Sequence, residues 1–483
     1  MHDTMAKYSA VQAGGGFYDK GNGIAHDGAG GALVTGFFSG NASFGSMSLT
    51  SRGSVDAFVM HVTSSGAIDW AVQAGGASYD KGNGIAHDGA GGALVTGFFS
   101  GNASFGSMSL TSRGSVDAFV MHVTSSGAID WAVQAGGASY DKGNGIAHDG
   151  AGGALVTGFF SGKASFGSMS LTSQGSADAF VMHVTSSGAI DWAVQAGGAS
   201  YDKGNGIAHD GAGGALVTGF FSGNASFGSM SLTSRGSVDA FVMHVTSSGA
   251  IDWAVQAGGA SYDKGNGIAH DGAGGALVTG FFSDEASFGS MSLTSQGFVD
   301  AFVMHVTSSG AIDWAVQAGG ASYDKGNGIA HDGAGGALVT GFFSGKASFG
   351  SMSLTSQGSA DAFVMHVTSS GAIDWAVQAG GASYDKGNGI AHDGAGGALV
   401  TGFFIGNASF GSKTLTTSQT AATTCFVALL MMPVVPGGCN GDSCDGPPPD
   451  LPPLPGGAPS PASPFHQPAA VVVPEQPAVA MHA

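Results

Sequence analysis

The sequence predicts an all-β fold, a seven-bladed β-propeller with four strands in each blade. Three observations support this: a 61-residue repeat, four strand-like segments in each repeat, and complementary chain ends. The tryptophans mark the repeat at a constant interval: Trp70, Trp131, Trp192, Trp253, Trp314 and Trp375. One period before Trp70 stands Ser9, in a segment YSAVQAGG that matches DWAVQAGG. The chain therefore contains seven units, which begin at residues 9, 70, 131, 192, 253, 314 and 375.

Each unit contains four segments with the composition of short strands. In the first unit, residues 23–27 and 32–38 flank the turn GAGG, which predicts a β-hairpin. Residues 57–62 and 68–73 predict a third and a fourth strand, joined by the turn TSSG. The segments ALVTGFF and AFVMHV are almost continuously apolar, which is typical of sheets covered on both faces. Between the second and third strands, residues 39–56 form a longer loop with room for one short strand.

The two ends of the repeat array complement each other. The N-terminus supplies a lone fourth strand at residues 10–14, whereas the seventh unit supplies three strands and stops near Leu430. Joining them completes the seventh blade and closes the ring, which an open solenoid would not need. Because Ser9 stands where other units have tryptophan, we expect this closing blade to pack less well and to open first.

The prolines mark a second region. All 14 lie between Pro433 and Pro477, so the sequence predicts a propeller over residues 1–432 and a disordered, Pro-rich tail over residues 433–483. Cys439 and Cys444 lie in this tail, either as a small disulfide or unpaired. Cys425 lies in a predicted strand and is expected to be a small buried side chain.

The composition argues against several classes of protein. With 43% hydrophobic residues the chain can bury a core, although its 88 glycines and 10% charged residues depart from average globular composition. A net charge of −19 argues against nucleic acid or an anionic membrane as the main partner. No apolar run has the length of a membrane span, and the segment MHDTMAKYSA lacks the features of a signal peptide. We expect a monomer that does not insert into a membrane.

Two segments of the repeat are similar to a known family. The runs YDKGNGIAHDGAGGALVTGFFS and DAFVMHVTSSGAIDW resemble the SBBP family, the beta-propeller repeat of seven-bladed propellers, in all seven units from Ser9 to about Leu430. The resemblance implies a seven-bladed propeller of a kind common in secreted and cell-surface proteins, and it brings no catalytic residue with it. The chain departs from the family pattern at His26 and His61, where the family prefers Val and Lys.

Histidine and aspartate recur with the repeat and are candidates for metal binding. His26 begins a set of seven histidines and His61 a set of six. Imidazoles can bind metals or respond to pH, but a ring of this width separates them too far for one zinc ion, so we favour histidines packed between blades. The segment DKGNG lacks the spacing of a calcium loop, and Lys20 would place a cation among the ligands. Asp19 and Asp27 are therefore interpreted as turn residues. We assign no metal site and no cofactor.

The units differ from one another mainly in the loop between the second and third strands. Loops on a rigid scaffold commonly carry binding residues, although drift after recent duplication is the simpler explanation of these differences. Four units also carry the sequon Asn-Ala-Ser, which matters only in a eukaryotic secretory path. The candidate ligand-facing positions are Asn41, Arg52, Asn102, Arg113, Lys163, Gln174, Asn224, Arg235, Asp284, Glu285, Gln296, Phe298, Lys346, Gln357 and Asn407.

No catalytic constellation stands out from the repeat background. Any triad would occur in every unit, whereas an active site needs one asymmetric arrangement, so we assign no catalytic residue. The sequence favours a non-enzymatic binding or adhesion scaffold that presents repeated loops to a protein or glycan partner, at the cell surface if the family resemblance extends to location. The alternative is a propeller enzyme, a hydrolase or lyase, with a single site at the mouth of the central channel. A third hypothesis is an array fragment without an independent role.

Overall fold

The computed structural model describes residues 7–15, 17–417 and 422–431, and all regular secondary structure within them is β-strand. The strands form seven six-stranded sheets, which are the blades of a ring. The ring closes because the inner strand Lys20–His26 contacts the inner strand Lys386–His392. The predicted seven-bladed propeller is confirmed. The predicted tail, with Cys439 and Cys444, lies outside the described residues.

Each blade has four long antiparallel strands, ordered outward from the central channel. The inner strands, which number the blades from 1 to 7, are Lys20–His26, Lys81–His87, Lys142–His148, Lys203–His209, Lys264–His270, Lys325–His331 and Lys386–His392. The second strands are Ala32–Phe38, Ala93–Phe99, Ala154–Phe160, Ala215–Phe221, Ala276–Phe282, Ala337–Phe343 and Ala398–Ile405.

The third and fourth strands follow in the same outward order. The third strands are Asp56–Val62, Asp117–Val123, Asp178–Val184, Asp239–Val245, Asp300–Val306, Asp361–Val367 and Thr423–Met431. The fourth strands are Ile68–Gly76, Ile129–Gly137, Ile190–Gly198, Ile251–Gly259, Ile312–Gly320, Ile373–Gly381 and, in blade 7, Lys7–Gly15. Blade 7 is therefore closed by the N-terminal strand, as predicted.

Two short strands extend the outer edge of every blade, and they come from the next repeat. They form these hairpins: Asn41–Phe44 with Met47–Thr50, Asn102–Phe105 with Met108–Thr111, Lys163–Phe166 with Met169–Thr172, Asn224–Phe227 with Met230–Thr233, Glu285–Phe288 with Met291–Thr294, Lys346–Phe349 with Met352–Thr355, and Asn407–Phe410 with Lys413–Thr416. Ala103, for example, follows the second strand of blade 2 in the chain and pairs with Gly76 in the sheet of blade 1. The long loop thus holds two strands rather than one, and the four predicted strands are the inner part of a six-stranded sheet. Neighbouring repeats share these sheets.

The apolar core lies between the blades. Seven clusters of buried side chains occupy the seven junctions, and Leu33 and Val59 of blade 1, for example, pack with Val95 and Phe119 of blade 2. Every residue of the second strand Ala32–Phe38 is buried, which agrees with the predicted covering of both faces. Cys425 is buried as predicted, and burial raises the pKa of its thiol to about 12.

Candidate functional site

The ends of the inner strands define the two faces of the ring. Each inner strand begins with a lysine, of which Lys20 is the first, and ends with a histidine, of which His26 is the first. We call the two ends the lysine face and the histidine face. On the lysine face lie the connection from each fourth strand to the next inner strand and the beginning of each third strand, at Asp56 in blade 1.

Seven lysines surround the mouth of the central channel on the lysine face. We call this set the lysine ring: Lys20, Lys81, Lys142, Lys203, Lys264, Lys325 and Lys386. The cavity that they line has a volume of about 870 Å³, and its other lining residues are Asn, Phe and Tyr. Further along the channel, Ile24 and its equivalents form an apolar ring around a cavity of about 180 Å³.

Aromatic rings and backbone pairing hold the lysine ring in place. The ammonium nitrogen of Lys81 lies 3.6 Å from the ring centre of Phe37 on the preceding blade and 4.8 Å from that of Tyr79. Two residues further along each inner strand, an asparagine amide donates to the next blade, as from Asn22 Nδ2 to Gly82 O at 2.8 Å. The same bond is present at every junction of the ring. The cavity is therefore preorganised by the inner strands themselves.

The lysine ring concentrates positive charge in an acidic protein. It holds seven of the chain's 14 Lys and Arg residues. Every ion pair among the described residues joins a histidine to an aspartate, so none involves a ring lysine. Burial and the charge of Lys142 lower the pKa of Lys81 to about 8, and burial and the charges of Lys325 and Lys20 do the same for Lys386. These groups remain largely protonated at neutral pH.

Aspartates beside the lysine ring stabilise the turns. Asp80 Oδ2 accepts a hydrogen bond from Gly76 N at 2.7 Å, and its Oδ1 accepts one from Ser100 N at 3.0 Å. Burial raises the pKa of Asp80 to about 6. At the opposite face, Asp27 Oδ1 accepts bonds from Ala29 N and Gly31 N at 2.7 Å. The interpretation of these aspartates as turn residues is confirmed.

On the histidine face, each blade except the closing one contains an Asp-His-Asp cluster. In blade 1, His61 Nε2 lies 2.9 Å from Asp27 Oδ2 and His61 Nδ1 lies 2.7 Å from Asp69 Oδ1. The imidazole stacks on Trp70 with a centroid distance of 5.8 Å. The equivalent histidines are His122, His183, His244, His305 and His366. Burial lowers the pKa of His61, but its hydrogen bonds to both aspartates and their charges outweigh this, so the pKa is raised.

The other set of histidines packs between blades. His87 of blade 2 lies against Gly28 of blade 1, and its Nε2 accepts a hydrogen bond from Gly91 N at 3.0 Å. This agrees with the packed role favoured from the sequence. Over the described ranges, no three His, Cys, Asp or Glu side chains are grouped so that they could hold a metal ion.

All the predicted ligand-facing residues are exposed, in two sets on the lysine face. The first set begins the outer hairpins: Asn41, Asn102, Lys163, Asn224, Asp284, Glu285, Lys346 and Asn407. The second set lies between the hairpin and the third strand: Arg52, Arg113, Gln174, Arg235, Gln296, Phe298 and Gln357. Asn41 Oδ1 accepts a hydrogen bond from Thr50 Oγ1 at 2.7 Å, so part of its polar capacity serves the hairpin. Ligand binding at these positions remains a prediction.

Some units have Arg and others Gln at the position of Arg52, which lies beside the buried carboxylate of Asp56 or its equivalent. Arg52 Nη1 donates to Gly75 O at 3.1 Å. Burial raises the pKa of the adjacent Asp56, whereas hydrogen bonds and the charge of Arg52 lower it in part. In two of the three units with Gln, Asp178 and Asp300 each have an oxygen with no hydrogen-bond partner among the described residues, whereas Asp361 of the third accepts a bond from Gly358 N at 3.4 Å. In the sequence these positions are only variable loop residues, and their structural role was not predicted from it.

The fifth unit is the most distinctive. Asp284 has a φ of 57°, the only non-glycine residue with positive φ among those described, and it accepts a hydrogen bond from the Ser261 hydroxyl. Phe298 is 65% exposed and stacks on Tyr323 with a centroid distance of 5.0 Å. This unit adds an apolar surface to the lysine face.

The lysine ring was not predicted from the sequence either. A signal for it was present, because Lys20 recurs every 61 residues at the beginning of a predicted inner strand. Inner strands of a propeller surround its central channel, so a side chain that recurs at their first position must form a ring.

A family model described as beta-propeller repeat, SBBP, matches residues 69–97, 130–158, 191–219, 252–280, 313–341 and 374–402. The chain carries six SBBP beta-propeller repeats. Each matched SBBP segment runs from a fourth strand through the inner and second strands of the following blade. The resemblance to this family is thereby confirmed, although the segment that contains Ser9 is not among the six SBBP matches.

The solved structures that match this chain are distant from it. A quinohemoprotein alcohol dehydrogenase from Comamonas testosteroni is 7% identical over 92% of this chain and 78% of its own, with a TM-score of 0.39. Quinohemoprotein alcohol dehydrogenase ADHIIG from Pseudomonas putida HK5 is 9% identical over 83% and 68%, with a TM-score of 0.35. Puromycin hydrolase is 10% identical over 81% of this chain and 51% of its own, with a TM-score of 0.37. These similarities carry no argument about the activity of this chain. Among curated proteins, none matches it.

The described residues contain no helix of the length and apolarity that a membrane span requires.

Proposed function

We propose that this protein is a non-enzymatic binding scaffold whose lysine face presents repeated loops to a protein or glycan partner. The observation that carries the proposal is a ring of exposed tyrosines on that face, between the lysine ring and the variable loops. These tyrosines are between 38% and 60% exposed and recur in six of the seven units: Tyr18, Tyr79, Tyr140, Tyr201, Tyr262 and Tyr323. Exposed aromatic side chains with polar neighbours are the usual anchors of recognition surfaces.

The tyrosines are held in fixed positions. Tyr79 forms a backbone bridge with Val55, next to the loop that contains Arg52. Its N–H donates to Ser100 Oγ at 3.2 Å, and its ring stacks on Phe98 with a centroid distance of 5.9 Å. A rigid aromatic surface loses little conformational entropy on binding, which favours recognition.

Repetition favours weak binding at many equivalent positions over catalysis at one. The hydrogen-bonded aspartates, the lysines and the tyrosines recur around the ring, so each contact offered by one blade is offered by its neighbours. Repeated contacts with a partner that displays several epitopes raise the apparent affinity above that of each contact. A repeated polymer or a densely displayed glycan fits this surface.

The test is binding of the full chain to a glycan array printed at high and low density. The triple variant Tyr140→Ala, Tyr201→Ala, Tyr262→Ala is expected to lose at least about tenfold in apparent affinity for a dense ligand. The matched control changes three exposed turn residues of the histidine face, Ser125→Ala, Ser186→Ala and Ser247→Ala, and is expected to bind as the unmodified protein does.

Equal binding by the two triple variants would contradict the proposal, as would the absence of any binder in both the array and a pull-down with immobilised proteins. A catalytic activity that disappears when a single repeat is changed would instead support the propeller enzyme.

A further inference from the structure

We propose that the lysine ring is a binding site for one compact polyphosphate anion, a small molecule that carries several phosphate groups. The proposed site lies at the mouth of the central channel, inside the outer loops of the proposed partner surface, and Tyr79, Tyr140 and Tyr262 of that surface also line it. It has one copy in each chain, because all seven blades contribute to the same cavity.

The positive charge of the lysine ring is not balanced by acidic residues in the lining of the cavity. Seven ammonium groups line one cavity, and no Asp or Glu is among the lining residues. Each ammonium has three hydrogen-bond donors and no acceptor of its own. Because like charges in a half-buried cavity repel one another, an anion that enters the ring relieves repulsion as well as forming new bonds.

The ammonium groups of the ring are held in fixed positions by aromatic side chains. Phenylalanine rings of the preceding blade lie 3.6 Å to 3.9 Å from the ammonium nitrogens of Lys81, Lys264 and Lys20. Cation–π contacts of this kind hold the side chains over the aromatic surface with their charged ends in the cavity. A preorganised ring loses less side-chain entropy when an anion binds.

The chemistry of the ring favours phosphate groups at high density. Lysine is a compact point charge without the planar fork of arginine, so it recognises charge density rather than the shape of one carboxylate. The cavity of about 870 Å³ has the size of a small-molecule site. The asparagine amides at its base add neutral donors and acceptors, and the apolar Ile24 ring beyond them offers no partner for charge.

The surroundings of the ring argue against a long polyanion. Outside the ring, the chain carries seven Lys and Arg against 33 Asp and Glu. The net charge of −19 disfavours the approach of a nucleic acid or an anionic membrane, and the channel mouth admits only a short segment of either. A compact anion can meet several ring lysines at once within the cavity.

The experiment is isothermal titration calorimetry of the full chain with myo-inositol hexakisphosphate and, separately, with inorganic tripolyphosphate at low ionic strength. We expect one equivalent to bind per chain, with affinity that falls as salt is added. The ring variant Lys81→Gln, Lys142→Gln, Lys203→Gln is expected to bind at least about tenfold more weakly.

The matched control removes the same number of charges outside the ring. Lys163→Gln, Lys346→Gln and Lys413→Gln change exposed residues of the outer hairpins, and this variant is expected to stay within about threefold of the unmodified affinity. Thermal unfolding monitors the fold of both variants. The ring variant is expected to stay folded, because the relief of like-charge repulsion offsets the loss of its cation–π contacts.

Three results would overturn the proposal: no binding of either probe, an equal loss of affinity in the two lysine variants, or several equivalents bound per chain. The proposal of a compact anion would also be overturned if a duplex oligonucleotide bound more tightly than both probes. The rings of Tyr140, Tyr201 and Tyr262 contact ring lysines, so the ring variant, which keeps every tyrosine, distinguishes the two failures. It is expected to lose polyphosphate affinity and to keep its binding to the dense glycan ligand.

Discussion

Blade 7, which closes the ring, differs from the six blades formed by continuous chain. In blade 1 the third and fourth strands are joined by a turn, and a bulge between His61 and Val62 places Trp70 opposite His61. In blade 7 the strand Lys7–Gly15 pairs with Thr423–Met431 without a bulge, and Ser9 stands opposite Leu429. The closing blade is therefore held by regular backbone pairing rather than by an aromatic cluster.

The difference extends to the contact with the next blade. Trp70 packs against Gly127 of blade 2, where φ is 83° and an added Cβ would lie 3.0 Å from the indole, and Trp70 Nε1 donates to Ser125 O at 3.1 Å. At the equivalent junction, Ser9 lies beside Gly66 and borders a cavity of about 30 Å³. Strand pairing is therefore what closes the ring in blade 7. The tryptophan cluster adds further contacts in the blades whose third and fourth strands are joined by a turn.

The largest expected effect comes from removing the closing strand. Deletion of residues 1–15 exposes the edge of Thr423–Met431 and removes Ala10 and Ala13 from the core clusters on the two sides of blade 7. We expect the free energy of unfolding to fall by about 3 kcal/mol or more, with association through the exposed edge. Thermal unfolding and light scattering measure both effects. A peptide of residues 7–15 added in trans is expected to restore stability, and the same peptide with Ala13→Asp is not. An unchanged melting temperature after deletion would contradict the assigned role.

The next largest change in stability is expected when the residues that distinguish the two kinds of blade, Trp70 and Ser9, are exchanged. Trp70→Ser removes the stacking on His61 and the contact with Gly127, and is expected to lower the free energy of unfolding by about 2 kcal/mol. The reciprocal change, Ser9→Trp, is expected to raise stability by a smaller amount because Leu429 replaces the histidine there. Chemical denaturation measures both. Stabilisation by Trp70→Ser would refute the role of the cluster.

Hydrogen exchange compares the two kinds of blade without mutation. Residues 10–14 of the closing strand are expected to exchange at least about tenfold faster than residues 71–75 of blade 1, because the closing blade opens at lower cost. Native-state exchange followed by mass spectrometry measures the difference. Equal protection of the two segments would show that regular pairing alone matches the tryptophan cluster.

A smaller change in stability is expected from Asp284, a residue that distinguishes one of the continuous blades from the others. Asp284 occupies the left-handed region, where the equivalent Gly223 has a φ of 67°. Asp284→Gly is expected to stabilise the protein by at most about 1 kcal/mol, because the strain is relieved and the hydrogen bond from Ser261 is lost. Gly223→Asp is the matched control and is expected to destabilise by a similar amount. A melting temperature lowered by Asp284→Gly would show that the hydrogen bond outweighs the strain.

The smallest effect concerns pH. His61→Leu copies Leu429 of the closing blade. Because the folded pKa of His61 is raised, its stabilisation is present below about pH 6.5 and is lost as the pH rises through the folded value. The variant is therefore expected to lose more stability at about pH 6 than at about pH 8.5, by less than about 1 kcal/mol, since Asp69 is 48% exposed. Denaturation at the two pH values measures this. An equal loss at both would exclude titration of His61 as the cause.

Much of the fold was predictable because its determinants are local. The turns GAGG and TSSG and the apolar runs ALVTGFF and AFVMHV specify strands within a single unit, and the observed bounds Ala32–Phe38 and Asp56–Val62 agree with the predicted ones to within one residue. The partner of the outer hairpin was not predictable in the same way. Asn102–Phe105 follows the second strand of blade 2 and could pair there, and only the stacking of blades places it beside Ile68–Gly76 of blade 1.

The candidate site shows the same division. The sequence alone determined the number of units, the closing role of the N-terminal strand and the burial of Cys425, because composition and period carry that information. Only the tertiary structure decided that Lys20 and its equivalents meet in one cavity and that Arg52 serves the Gly75 carbonyl. The physical reason is radial closure. It brings together side chains that are 61 residues apart in the chain, so the charge of the channel mouth has the opposite sign to the net charge of the protein.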